Sequence, residues 1–286
     1  MINNKVLFFD IDGTLLNPST HKIEQSTMEI LEELSKRKDI DMYISTGRGR
    51  TTIKEMNPIL PYFKGLNLCN GSQIIIDNKI MYTVFFKEDE VIKLLSYLEE
   101  QFLSYSLVTS DDVFSKFYSP LIEEAFNQAV KTNYIKIDSF KNIKLNNIIE
   151  IWILAENSII DKIVQIFPFL TIYYWGNSGC DVVVLNQSKA LGIKKIIEIM
   201  GYNQENTFAF GDSDNDVPMF KAVNTSIAMG KSTPMAIKAA TYQTLLLEDA
   251  GLAKAVKKYV LKKSPRWLFW LRFQRQIEYK ISKKCV

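Results

Sequence analysis

Histidine is almost missing from this sequence: His21 is the single one in 286 residues. A site that needs several imidazoles, such as a zinc hydrolase centre or a Ser-His-Asp triad, is thereby disfavoured. His21 itself lies in a polar stretch and reads as a loop residue. Cysteine is scarce as well. Cys69, Cys180 and Cys285 are odd in number and lack metal-ligand spacing, which argues against a disulfide framework and points to a reducing, cytoplasmic setting. Long apolar runs are missing too, since stretches such as 148–155 are too short to span a bilayer. The first apolar run ends in Asp10-Ile11-Asp12 instead of a small-residue cleavage site, so no signal peptide is expected. Internal repeats and low-complexity linkers are not found.

A basic body is also lacking. The net charge of +3 conceals a division: residues 262–286 carry eight Lys or Arg against the single acid Glu278, leaving the remaining chain at −4. General nucleic-acid binding is therefore not expected of the body.

What the chain does have is an α/β rhythm, with 47% hydrophobic residues to build a sizeable core. Val6 to Ile11 is a short apolar run that reads as a buried strand followed by a turn. Ile23 to Arg37 reads as an amphipathic helix. Ile40 to Ser45 is a second strand, Arg50 to Leu60 a helix, and Leu66 to Cys69 a third strand. This order calls for a parallel sheet. The rhythm then changes to a hairpin around Asp77-Asn78, a helix over Glu88 to Phe102, and a strand over Asn147 to Ala155. A helix over Ser158 to Phe167 and two strands, Leu170 to Trp175 and Asp181 to Leu185, complete an α+β block. The parallel rhythm returns with a helix over Lys189 to Met200, stopped by Gly201. Strands at Thr207 to Phe210 and Thr225 to Met229 follow, with helices over 217–222, 234–240 and 249–261. The expected fold is a doubly wound parallel-sheet core, Rossmann-like, from residues 1–82 and 186–261. An α+β unit, residues 83–185, is inserted into it, and residues 262–286 form a basic aromatic tail.

Three polar clusters follow directly on expected parallel strands: Asp10-Ile11-Asp12-Gly13-Thr14, Ser45-Thr46-Gly47-Arg48, and Gly211 to Asp216. Parallel strands end at one edge of a sheet, where ligands bind. The acids offer hard oxygens suited to Mg²⁺. Thr46 and the Gly47 N–H offer donors to phosphate oxygens, and Lys189 at a helix start offers a positive charge. Each piece taken singly has a plainer reading as a turn, a helix cap or a surface lysine. Together and in this order they describe a phosphoryl-transfer site.

Phe8-Phe9-Asp10-Ile11-Asp12-Gly13-Thr14-Leu15 resembles the first motif of the haloacid dehalogenase superfamily. Thr46-Gly47-Arg48 resembles the second, Lys189 the third, and Gly211-Asp212-Ser213-Asp214-Asn215-Asp216 the fourth. Asn70-Gly71 and the large insertion between the second and third motifs are similar to the Cof-type phosphatases. Ala190-Leu191 stands where that branch more often has Gly-Thr. The resemblance, over residues 1–261, implies that Asp10 attacks phosphorus and forms an aspartyl-phosphate. Asp12 would protonate the leaving oxygen and then deprotonate water. It implies Mg²⁺ held by Asp10, the Asp12 backbone carbonyl and Asp212, with Asp216 behind them as an indirect partner. It assigns phosphate binding to Ile11, Thr46, Gly47, Lys189 and Asn215. Arg48 and Asn70 are candidate substrate contacts, with pairing to a core acid as the other reading of Arg48, and the α+β unit would be a cap that selects the substrate.

Trp175, Asn177 and Ser178 are candidates on that cap, with a plain hairpin turn as the alternative reading. The expected activity is hydrolysis of small phosphorylated metabolites resembling sugar phosphates. Two alternatives are a phosphomutase or phosphotransferase of the same fold, and a non-catalytic phospho-ligand-binding protein anchored by its tail. For the tail, packing on the body or on a second subunit is favoured over membrane contact, because its apolar residues do not share one clean face.

Overall fold

The structure, a computed structural model, describes residues 2–130 and 132–261; the expectations for the basic tail fall outside the described residues. Its strands are β1 (Lys5–Phe9), β2 (Ile40–Ser45), β3 (Gly65–Leu68), β4 (Gln73–Ile76), β5 (Lys79–Thr83), β6 (Ser104–Val108), β7 (Val113–Lys116), β8 (Ile135–Lys136), β9 (Glu150–Leu154), β10 (Leu170–Tyr174), β11 (Cys180–Val184), β12 (Thr207–Gly211), β13 (Thr225–Ala228) and β14 (Tyr242–Gln243). Its α-helices are α1 (Gln25–Ser35), α2 (Glu88–Glu100), α3 (Pro120–Val130), α4 (Asn157–Ile166), α5 (Lys189–Met200), α6 (Val217–Ala222), α7 (Pro234–Ala239) and α8 (Gly251–Ala255).

Two sheets result. The first runs β14-β13-β12-β1-β2-β3-β4-β5, parallel through β3 and antiparallel in the last two strands. At its centre, β1 alternates two apolar faces with the two-residue period of a strand. Leu7 and Phe9 pack with Leu31 and Leu34 of α1 and with Leu252 of α8. Val6 and Phe8 pack with Ile193 and Ile196 of α5, Phe220 of α6 and Ala236 of α7. Helices on both faces of a mainly parallel sheet make this the doubly wound core the sequence calls for.

The second sheet runs β10-β11-β9-β6-β7-β8. On one face Tyr105, Leu107, Ile151, Ile153 and Val182 pack against Leu94 and Leu98 of α2 and Ile160 and Ile163 of α4. The opposite face carries Ser106, Glu150, Trp152 and Asp181. This inserted α+β cap is reached after β5 and left after β11. The return is direct, so that α5 begins five residues beyond β11.

Three details depart from the sequence reading. Residues 50–60 do not form one helix but short 3-10 turns, Arg50–Thr52 and Lys54–Met56, with a third at Leu60–Tyr62. Pro58 cannot donate a backbone hydrogen bond, and the Thr52 carbonyl accepts instead from Arg48. β6, β7 and α3 lie in a stretch for which the sequence suggested no element. There the serines facing the core bury a hydroxyl pair, Ser106 to Ser115 at 2.8 Å, which weakens the apolar pattern of those strands. The edge strand β14 was likewise unread, being two residues long.

Candidate active site

β1, β2 and β12 end side by side, and their loops face a cavity of about 710 Å³ between core and cap. Asp10 follows β1, with its backbone N–H donating to the Phe210 carbonyl of β12 at 2.9 Å. The chain then turns sharply: the Ile11 carbonyl accepts from the N–H groups of Thr14, Leu15 and Leu16. Gly13, at φ +80°, sits so close to Asp212 that a Cβ there would lie 2.4 Å from Oδ2.

Lys189 is the centre of the site. Ser188 caps α5, its hydroxyl accepting from the Leu191 N–H at 3.3 Å, and the next side chain is drawn under the sheet edge. Lys189 is fully buried, and its Nζ donates to Asp10 Oδ1 at 2.6 Å, to Asp216 Oδ1 at 2.6 Å and to Asn215 Oδ1 at 3.3 Å. Burial works against its charge, but Asp10 and Asp216 outweigh that and raise its pKa. Burial also pushes Asp10 up to about 7, helped by the Asp216 charge and opposed by Lys189. Asp212 is pushed up to about 9 by burial and by the charges of Asp10 and Asp216.

The donor set fits a divalent cation. Carboxylate oxygens of Asp10, Asp212 and Asp216 come within 4.8 Å of one another. Asp216 is already committed. Its Oδ1 accepts from Lys189, and its Oδ2 accepts from the backbone N–H groups of Asp212 at 2.8 Å and Ser213 at 3.1 Å. Asp212 Oδ1, by contrast, is buried with no hydrogen-bond partner. When all three are ionised, three carboxylates against one ammonium leave two negative charges, the charge a divalent ion would neutralise in place of protons.

Asp12 points elsewhere. Arg48 grips its carboxylate with two bonds, Nη2 to Oδ1 at 2.6 Å and Nε to Oδ2 at 2.9 Å. The same guanidinium donates to Glu55 Oε2 at 2.7 Å and to the Thr52 carbonyl at 3.0 Å. Of the two readings of Arg48, substrate contact or partner of a core acid, this conformation displays the second. Thr46 and Gly47 line the cavity beside Asp10, and the Thr46 hydroxyl accepts from the Arg48 N–H at 3.1 Å.

Asn70 is buried in left-handed backbone at φ 49° and does not face the cavity. Its Oδ1 accepts from Asn215 Nδ2 at 3.4 Å and its Nδ2 donates to Asp181 Oδ2 at 3.0 Å, so it joins the phosphate-side residues to the cap. Of the cap candidates, Trp175 and Ser178 line the cavity, whereas the Asn177 side chain accepts from the N–H of Asn157 at the start of α4. Sequence reading missed Asp181 and Glu150. Each is a lone acid in an otherwise apolar strand, and that interruption was the available signal. Asp181 accepts from Trp175 Nε1 at 2.9 Å and Glu150 from Trp152 Nε1 at 3.1 Å.

Comparison with known proteins agrees with this geometry. The family profile of the haloacid dehalogenase-like hydrolases matches residues 7–256. A putative phosphatase of Bacillus subtilis, YkrA, is 28% identical over 92% of this chain and 100% of its own length. The 5-amino-6-(5-phospho-D-ribitylamino)uracil phosphatase YcsE of the same organism is 24% identical over 91% of this chain and 97% of its own. Among solved structures, the subclass IIB sugar phosphatase BT4131 superposes with a TM-score of 0.82 at 26% identity, over 90% of this chain and 99% of that one.

Proposed function

The chain belongs to the haloacid dehalogenase-like hydrolases, as a phosphatase of that family, and we propose that it hydrolyses sugar-phosphate-like monoesters through an aspartyl-phosphate on Asp10. The observation that carries this reading is the buried Lys189 ammonium bridging Asp10 and Asp216, with the orphaned Asp212 oxygen beside them. Residues 1–82 and 186–261 act as the catalytic core and 83–185 as the substrate-selecting cap.

Asp10 attacks phosphorus with a carboxylate lone pair, forming the new P–O bond as the bond to the leaving oxygen breaks. Lys189 fixes the rotamer of Asp10 and, with Thr46, the Gly47 N–H and Asn215, holds the phosphoryl oxygens. The Ile11 N–H supports the same oxygens. Asp12, once turned out of the Arg48 fork and protonated from solvent, gives its proton to the leaving alcohol, then takes one from water as water attacks the acyl phosphate and restores Asp10. Arg48 sets where the Asp12 carboxylate stands in the cavity wall. Mg²⁺, held by Asp10, Asp212 and the Asp12 carbonyl, with Asp216 behind them, would offset the repulsion between the anionic nucleophile and the phosphate dianion.

Support for a sugar-like substrate comes from the cavity. It holds three aromatic side chains, Trp152, Tyr173 and Trp175, beside a few polar groups. The sugar phosphatase that this chain resembles points the same way. A panel of phosphorylated metabolites, assayed for phosphate release with Mg²⁺ and with EDTA, tests the proposal. Sugar or polyol phosphates hydrolysed with Mg²⁺ alone, without an added acceptor, are the expected result. Release only when an acceptor sugar is supplied would make it a transferase, and no release from any member would refute it.

A further inference from the structure

We propose that Asp181 is the specificity-determining residue of the cap, accepting a hydrogen bond from a hydroxyl of a polyol or sugar leaving group. The inference rests on the phosphatase reading above and deepens it. All the phosphate-side groups come from the core, whereas Asp181 comes from β11 of the cap and lines the same cavity. It reaches the floor of the site: a Cβ on Gly47 would lie 2.9 Å from Asp181 Oδ2. The carboxylate therefore stands beside the backbone of residue 47, in the wall of the cavity that residue 47 also lines.

Its surroundings suit an acceptor better than a strut. Two of the roughly four lone-pair positions of a carboxylate are occupied, by Asn70 Nδ2 and Trp175 Nε1. Among the described residues no lysine or arginine forms a salt bridge with it. Burial pushes it up to about 7, with Asn70 and Trp175 opposing. A buried carboxylate without a cation is costly, and a donor from the substrate relieves that cost. The indoles beside it are orientated by the same acids. Trp175 donates to Asp181 and Trp152 to Glu150, and the rings meet at 64° with centroids 5.9 Å apart. Their N–H groups are thereby turned to protein acceptors. An apolar wall next to an open acceptor matches a polyol, which presents C–H edges and hydroxyls together.

Asp181 also answers to the catalytic end. Lys189 donates to Asn215, Asn215 to Asn70 and Asn70 to Asp181. This relay sets the direction of both amides, so Asn70 presents its Nδ2 donor to Asp181, which lines the cavity.

The test compares kcat/KM for sorbitol 6-phosphate and n-hexyl phosphate, which share a six-carbon chain with and without hydroxyls. The ratio is taken within each protein sample with Mg²⁺, so the fraction of folded enzyme cancels. The wild-type ratio should be well above one and should fall roughly ten- to hundredfold in Asp181→Asn. Asp181→Ser, a smaller side chain that still offers Asn70 an acceptor, should show the same fall and replaces the amide variant if that does not fold. An unchanged ratio in the variant that folds would overturn the inference, as would a wild-type ratio near one. Both leave the phosphatase reading intact. Wild-type enzyme inactive on these two esters and on p-nitrophenyl phosphate would refute that reading, and this inference with it.

Discussion

Lys189 is the residue on which most of the site's charge depends. It lies between two buried carboxylates, Asp10 and Asp216, each at 2.6 Å. Removing one partner of such a group leaves uncompensated buried charge and costs about 3–5 kcal/mol, far more than a surface ion pair contributes. Lys189→Met should therefore lower stability by about that amount in urea denaturation, as well as abolish activity. A loss below about 1 kcal/mol would mean that the acids are neutral or solvated without it. The lysine was legible in the sequence because it opens a helix at the right place in the motif order. Its full burial was not, since burial depends on Asp10 and Asp216 arriving from strands far apart in the chain. Asp181 and Glu150 were illegible for a related reason. An acid in an apolar strand acquires meaning only when the strand's neighbours are known. Here those neighbours are Asn70, from the core, and two tryptophans of the cap.

At the scale of elements, sequence patterns gave the central strands and the long helices but not the pieces held by tertiary contacts. β1 and β12 are largely apolar runs, β2 is one interrupted by Asp41, and α5 carries both an N-terminal Ser188 and a C-terminal Gly201 in left-handed conformation. By contrast, residues 50–60 look helical in composition, yet Arg48 takes the Thr52 carbonyl and the segment breaks into turns. The cap start of α5 gives a quantitative check. Ser188→Ala removes one capping bond and should cost about 1 kcal/mol in thermal or urea unfolding. Because Lys189 is the next residue, fraying there should also raise KM for the phosphate ester. A stability loss with unchanged KM would show that the position of Lys189 is set by the acids alone and not by the cap.

Over the whole molecule, core and cap meet around a carboxylate-rich site, and this couples stability to pH and metal. Asp10 and Asp212 are held up to about 7 and about 9, above the ordinary carboxyl value in the unfolded chain. The folded state therefore binds protons more tightly there. That contribution is fully present below about pH 4 and is lost as pH rises through about 7 and then about 9. In EDTA these groups should lower the melting temperature across that interval. Mg²⁺ takes the place of the protons, so the rise in melting temperature that it causes should grow with pH. A Mg²⁺ effect that is flat or shrinks with pH would contradict the assignment of these acids as the metal site. Whether Asp10 is the nucleophile is decided by the turnover of Asp10→Asn with Mg²⁺ and p-nitrophenyl phosphate. Asp10→Asn should keep the folded circular-dichroism spectrum of the wild type, with kcat lowered about a thousandfold or more. Wild-type turnover by that variant would contradict that role for Asp10.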